Sequence, residues 1–188
     1  MSANKQSMTR SVYVDGSCFN NGKKNSAGGI GVYFGDGDSR NVSCRIVDGK
    51  VTNQTMELRA CLAAIEAIIA SRKEDEFFTI YTDSMYVVKC MTSWADAWKR
   101  NGWKTKDDAP VSNMQLIKKT HELYKASSPW IRLEFVRAHG KRPENMQSVE
   151  YKLWHGNDRA HRLATAGANA PASAACRIDR YFNLRVTF

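Results

Sequence analysis

No stretch of the 188-residue chain approaches the ~18 consecutive apolar residues that a membrane span requires. The opening stretch, Met1 to Arg10, is polar and lacks the apolar centre of a secretory signal. An intracellular, non-secreted protein without a membrane anchor is the expectation, with nucleus and cytoplasm left open. Cysteine is sparse and unpatterned: Cys18, Cys44, Cys61, Cys90 and Cys176 are widely spaced, odd in number and without any C-x-x-C pair. This argues against a zinc cluster and a disulfide framework, and buried reduced thiols are expected. No internal repeat is visible. Acidic residues are in deficit, 19 against 28 lysines and arginines, which leaves a formal net charge of +9. Such an excess favours a polyanionic partner, yet a merely soluble basic surface has the same totals, so the clustering of the charges decides.

What is present suffices for one well-buried core, with 43% hydrophobic residues. The run Ser11 to Ser17, SVYVDGS, is β-branched and aromatic, reads as a strand, and closes on Asp15 beside Gly16. A carboxylate carried to the edge of burial costs several kcal/mol, roughly, unless a cation or donor meets it. The alternative is that Asp15-Gly16 simply opens a turn. A polar loop from Cys18 to Ser26 leads to an alternating strand over Gly28 to Phe34. After the turn signal Gly35-Asp36-Gly37-Asp38, a third strand follows through Val42, Cys44 and Ile46.

Thr52 to Thr55 supply capping side chains for a helix from Met56 to Ala70, whose apolar stripe of Cys61, Ala64, Ile65 and Ile68 leads back one turn to Glu57. Glu57 is therefore expected to point inward, and Glu66, about half a rotation away, to face solvent. Phe77 to Asp83 repeats the pattern of an apolar strand closing on Asp, so that Asp83 is either a second strand-end carboxylate or the N-cap of a helix beginning near Ser84.

From Met91 to Pro110, Trp94, Trp98 and Trp103 alternate with Lys99, Arg100, Lys104 and Lys106. Tryptophans one helical turn apart suit a core, whereas aromatics interleaved with cations suit a surface that stacks on sugars and meets phosphates. An amphipathic helix is expected over Ser112 to Ala126, with Met114, Ile117 and His121 to Tyr124 on spaced positions, and a strand over Trp130 to Val136. A polar loop, Arg137 to Gly156, holds His139 and His155; Asn157 then caps a last helix with the stripe Ala160, Leu163, Ala164 and Gly167. Beyond Ala168 the tail is alanine-rich, and Tyr181 to Phe188 alternates like a short strand.

Three antiparallel strands, a helix, a strand, helices, a strand and a final helix make a mixed α/β sheet with helices on its faces. Asp15, Glu57 and Asp83 are directed at one region and offer the hard oxygen ligands that divalent ions prefer. Two such ions about 4 Å apart clamp a phosphodiester in line with an attacking water.

Asp15-Gly16-Ser17, Thr52-Asn53-Gln54-Thr55-Met56-Glu57-Leu58, Tyr81-Thr82-Asp83-Ser84 and Gly102-Trp103-Lys104-Thr105 carry a specific resemblance: in order and spacing the chain resembles a type 1 ribonuclease H from roughly Ser11 to Ala168. The resemblance implies a ribonuclease H-like fold, with a mixed five-stranded sheet of three antiparallel strands then parallel strands and helices on both faces. It places the domain at residues 11–168, between a polar N-terminal extension, 1–10, and a C-terminal tail, 169–188. It implies an endonuclease that hydrolyses the RNA strand of RNA:DNA hybrids with two divalent cations, Mg2+ or Mn2+, leaving 5′-phosphate and 3′-hydroxyl ends; a monomer is expected.

By the same resemblance Asp15, Glu57 and Asp83 are metal ligands, and His139 matches the loop histidine that assists proton transfer and product release. Trp94, Trp98, Lys99, Arg100, Trp103 and Lys104 lie in the segment matching the family's basic protrusion. Lys50, Thr52, Trp98 and Asn113 align with the pocket that grips the DNA strand, and Asn21, Asn53 and Gln54 with residues contacting the minor groove of the hybrid. A hybrid presents 2′-hydroxyls on one strand only, so it can be recognised without reading base sequence.

One departure is serious. The family's last helix opens with Gly-Asn and carries a catalytic Asp four residues after the Asn, just before Arg-Leu-Ala; here Gly156-Asn157 leads to His161 at that position, followed by Arg162-Leu163-Ala164. Asp158, one turn earlier, is the other candidate ligand, and the loop before the helix is longer than usual. A catalytically weakened or inactive hybrid-binding module is the alternative that this departure raises.

Overall fold

The side-chain alternation of the first strand decides how the two faces of the sheet are covered. In the computed structural model, which describes residues 8–21, 23, 26–138 and 140–174, strands β1 (Met8–Phe19), β2 (Ala27–Tyr33), β3 (Val42–Ile46), β4 (Glu76–Thr82) and β5 (Ile131–Phe135) form one sheet in the order β3-β2-β1-β4-β5. The first three pair antiparallel; β4 runs parallel to β1, and β5 parallel to β4. β1 is the middle strand, and it begins at Met8, inside the stretch that reads as polar extension.

Helix α1 (Asn53–Ser71) covers one face and α5 (Val149–Asn169) the other. Val12 and Val14 belong to the main core with Met56, Leu58, Cys61, Ile65 and Phe78, whereas Tyr13 on the opposite side packs with Tyr33 and Ala160. Between β4 and β5 come α2 (Met85–Lys89), a π-helical turn (Cys90–Trp94), α3 (Ala95–Arg100) and α4 (Met114–Ser127); a short 3-10 turn, Ala172–Ala174, follows α5.

Two expectations about the helices fail, each because of what packs against them. Glu66 does not face water: it is 4% exposed, and its carboxylate meets Lys119 Nζ at 3.0 Å. α4 packs on the side of α1 away from the sheet, so half a rotation from the core stripe leads to a second helix rather than to solvent. Burial pushes the Glu66 carboxyl above its ordinary value, and Lys119 opposes that rise. Stability contributed by a group raised in this way is present below the ordinary carboxylate range and lost as pH rises through the raised value. Lys119→Met is therefore expected to cost about 1–2 kcal/mol at pH 7, less than a fully buried pair because the lysine is partly solvated. The deficit should shrink towards zero near pH 4.5, about where a free glutamate protonates. Urea unfolding at the two pH values checks this, and an equal deficit at both contradicts the pairing.

The second failure is the start of α5. Asn157 is not its cap; the helix begins at Val149, where Ser148 Oγ accepts the Tyr151 backbone N–H at 3.0 Å. Residues 149–155 contain neither glycine nor proline, and Leu153 packs on the Tyr13 and Tyr33 cluster, so the helix extends back through them. Gly156, which reads as a breaker, lies inside the helix against the Tyr13 ring, where a Cβ would overlap.

Cys18, Cys61 and Cys90 are free thiols, and burial raises the last two to about 12. Cys44 departs from the expectation of reduced thiols, being disulfide-bonded. Cys176 and the strand expected over Tyr181 to Phe188 lie outside the described residues.

Candidate active site

Parallel pairing of β1 with β4 sets Val14 opposite Thr82, so the next residues, Asp15 and Asp83, lie side by side where β4 ends. Ser84 rather than Asp83 caps α2, its Oγ accepting the Val87 N–H at 3.4 Å. Glu57 arrives from the first turns of α1, which a capping box fixes. The Thr52 hydroxyl accepts the Thr55 N–H at 3.3 Å, Thr55 Oγ1 accepts the Thr52 N–H at 2.9 Å, and the Thr55 hydroxyl donates to the Lys50 carbonyl at 2.7 Å. Gly16 lets this turn lie directly on β1, since a Cβ there would meet the backbone of Met56 and Glu57.

Oxygens of the three carboxylates Asp15, Glu57 and Asp83 consequently lie within 4.8 Å of one another, the one such group of ligand-type side chains among the described residues. Burial first, and then the charges of Asp15 and Asp83, hold the Glu57 carboxyl well above its usual range. Its Oε2 is sealed from solvent and has no hydrogen-bond partner. A buried acceptor left unsatisfied among like charges is costly in the apoprotein and is relieved by a cation. Three hard oxygen donors converging on one place fit a divalent metal ion.

Two residues of α5 complete the surroundings. His161 Nδ1 lies 2.8 Å from Asp15 Oδ2, and Asn157 Nδ2 donates to Asp83 Oδ2 at 3.1 Å. Asp158 is paired instead with Arg162 at 2.7 Å. Sequence reasoning missed the role of Asn157: it reads as a cap, and only the longer α5 turns it towards Asp83. His139 lies outside the described residues.

The remaining candidates fall in two places. Around the start of α1, the Asn53 N–H meets Asn21 Oδ1 at 3.3 Å, with Gln54 and Lys50 exposed nearby in sequence and Thr52 serving as the cap. Along α2 to α4, the core and surface readings divide between residues: Trp98 and Trp103 pack against the core, whereas Trp94 is 37% exposed. Trp94, Trp98 and Lys104 line an open hollow of about 530 Å3. Lys89 stands 5.5 Å from the Trp94 ring centre and Lys118 4.9 Å from that of Trp103, and Lys99 and Arg100 are exposed. Asn113 opens α4 with a left-handed φ of 60° and donates to the Tyr86 hydroxyl at 3.3 Å.

A family model, RNase H, matches residues 7–169. The chain belongs to the ribonuclease H family. It is 37% identical over 158 residues to the ribonuclease H of Schizosaccharomyces pombe, an overlap covering 84% of this chain and 52% of that protein. To the ribonuclease H of Enterobacter sp. (strain 638) it is 36% identical over 160 residues, 85% of this chain and 89% of that one. Among solved structures, LC9-RNase H1, a type 1 RNase H with the type 2 active-site motif, is similar with a TM-score of 0.60 and 27% identity, covering 85% of this chain and 72% of that chain. The chain spans about half the length of the yeast and mammalian relatives it matches. The ribonuclease H fold accounts for the five-stranded order and the helices on both faces. Among the described residues no helix is long and apolar enough to cross a membrane.

Proposed function

We propose that this ribonuclease H family member is an endonuclease that hydrolyses the RNA strand of RNA:DNA hybrids, leaving 5′-phosphate and 3′-hydroxyl ends, and acts as a monomer. The observation that carries this reading is the clustering of Asp15, Glu57 and Asp83 within 4.8 Å, with Glu57 Oε2 buried and unpartnered. Bound there, Mg2+ or Mn2+ ions, two per site, would supply Lewis-acid activation of water and charge stabilisation. Asp15, Glu57 and Asp83 hold the ions, and Asn157 orients Asp83 through its amide. His161 stands in the fourth position beside Asp15, while Asp158 is engaged by Arg162. His139 assists proton transfer and product release from the loop after β5.

Hybrid recognition is assigned to the two surfaces flanking this cluster. Lys50, Thr52, Trp98 and Asn113 hold the DNA strand, and Asn21, Asn53 and Gln54 face the minor groove. Trp94, Lys99, Arg100, Trp103 and Lys104 supply stacking and phosphate neutralisation. The test is incubation of an end-labelled hybrid with Mg2+ or Mn2+: internal cuts confined to the RNA strand are expected, and retarded but uncut hybrid would leave a binding module in which His161 has disabled cleavage.

Two predictions arise from this assignment. Neutralising Lys99, Arg100 and Lys104 together should reduce the salt slope of hybrid binding by about two to three, as loss of that many phosphate contacts requires; an unchanged slope removes the segment from the interface. His161→Ala is expected to lower cleavage with either ion and Asp158→Ala to leave it nearly unchanged. The reverse result makes Asp158 the fourth ligand.

A further inference from the structure

The segment that lengthens the connection before Gly156-Asn157 carries cations that no assignment above uses. Residues 149–155 add about two turns to the start of α5. Together with the loop after β5 they hold Arg137, Lys141, Arg142 and Lys152, all exposed. Among the described residues none of the four is paired with a carboxylate. Further along the same helix the pattern differs: Arg159 meets Asp36 at 3.3 Å and Arg162 meets Asp158 at 2.7 Å. Exposed cations without a counter-charge are ordinary on a protein surface, so their arrangement has to decide.

That arrangement is built on aromatic rings. The Arg142 guanidinium lies 5.6 Å from the Tyr151 ring centre and 5.9 Å from that of Trp154. The Tyr151 ring is 5.9 Å from Trp154 and stacks on His155 at 5.8 Å. Trp154 is held in turn by its indole N–H, which donates to the Gly140 carbonyl at 3.0 Å. A planar guanidinium laid against rings keeps N–H edges for an outside acceptor and loses little freedom on meeting one, which suits bidentate capture of a phosphate.

Its location names the ligand. Arg137, Gly140 and Trp154 line a cavity of about 260 Å3 with Asn157, Asp158 and His161. Asn157 donates to Asp83 and His161 meets Asp15, so the cavity begins one side chain away from the carboxylates. A strand whose scissile phosphate sits on the carboxylates carries its neighbouring phosphates past that opening. The segment of Trp94 to Lys104 lies with α1 and α4, on the other side of the sheet from α5, so the carboxylates stand between two cationic surfaces. We propose that the loop after β5 and the added turns of α5 form a further substrate-binding surface, on which Arg137 and Arg142 neutralise RNA-strand phosphates flanking the one that is cut. This inference rests on the reading of the chain as a nuclease of RNA:DNA hybrids.

The test is the salt dependence of hybrid binding, measured by fluorescence anisotropy in EDTA so that nothing is cut. Arg137→Gln with Arg142→Gln should lower the salt slope by about two and weaken binding about tenfold at ~0.1 M salt. In cleavage assays the same pair should raise KM about tenfold and leave kcat nearly unchanged. Arg142→Lys, which keeps the charge without the planar group on the rings, should keep the slope and weaken binding about threefold. Methylphosphonate linkages in the DNA strand should cost the double variant as much affinity as they cost the wild type, since the lost contacts are to the other strand. A smaller cost in the variant places the contacts on DNA and overturns the RNA-strand assignment. Arg40→Gln with Arg159→Gln removes two cations already paired with Asp38 and Asp36; an equal fall in slope there shows that net charge alone is read and overturns the surface. An unchanged slope for Arg137→Gln with Arg142→Gln in a wild type that cuts hybrids overturns the surface alone. A wild type that fails to bind hybrids overturns the proposed function and this surface with it.

Discussion

Asp15→Asn is expected to reduce hybrid cleavage by at least about a thousandfold while changing hybrid affinity less than about threefold. The asparagine keeps the shape of the side chain on β1 and removes one negative charge from a cluster whose oxygens lie within 4.8 Å. It also exchanges one of the two hard oxygen donors for an amide nitrogen that cannot ligate. On the function proposed above, affinity is assigned elsewhere, to the exposed cations and Trp94 along α2 to α4 and to the residues around the start of α1. Asp83→Asn, in the neighbouring position on the β4 side, should behave alike. Calorimetric titration with Mn2+ in the absence of nucleic acid separates cause from consequence: both variants should lose the binding heat seen for the wild type. Cleavage persisting above a tenth of the wild-type rate in both variants would sink the assignment of these carboxylates.

Gly16→Ala is the second large effect, and it acts through backbone rather than charge. An added Cβ at this position runs into the backbone of Met56 and Glu57, and neither can be moved aside as a flexible side-chain end can. The first turn of α1 must lift off β1, where Met56 is fully buried and belongs to the core. Overpacking of this kind costs about 2–3 kcal/mol, or a fall of roughly 4–12 °C in Tm for a chain of this size. The same lift carries Glu57 away from Asp15 and Asp83, and cleavage should fall on the order of a hundredfold at temperatures where the variant is still folded. Circular dichroism melting and the hybrid assay on the same sample check the two effects together. A variant with wild-type Tm and rate would show that α1 is free to shift, and that Gly16 does not set the position of Glu57.

The two surfaces of α1 show where reading along the chain loses information. Its stripe of Cys61, Ala64, Ile65 and Ile68 is legible because the sheet demands apolar side chains at helical spacing, and Glu57 stands out on that stripe as a carboxylate needing explanation. Glu66 is misread because its partner, Lys119, comes from a helix more than fifty residues later, and a charge facing a second helix has the same sequence pattern as a charge facing water. Trp98 and Trp103 are ambiguous for a related reason: an indole beside lysines presents the same text whether its ring lies on the core or on a phosphate backbone.

Local chemistry thus determined by itself the strands around Asp15 and Asp83, the capped start of α1 and the presence of three strand-end or inward carboxylates, since side-chain period and capping act over a few residues. Only the tertiary structure decided that β1 and β4 pair in the register that sets Asp15 beside Asp83, and that Gly16 admits the first turn of α1 against β1, which brings Glu57 within reach of both. The beginning of α5 belongs to the same class. Gly156 and Asn157 look like a boundary in sequence because glycine and asparagine ordinarily stop or start helices. In the folded chain the missing Cβ of Gly156 makes room for the Tyr13 ring, and the amide of Asn157 finds Asp83. Which of those uses a glycine or an asparagine serves depends on what stands opposite it, and that is fixed by elements more than seventy residues away in the chain.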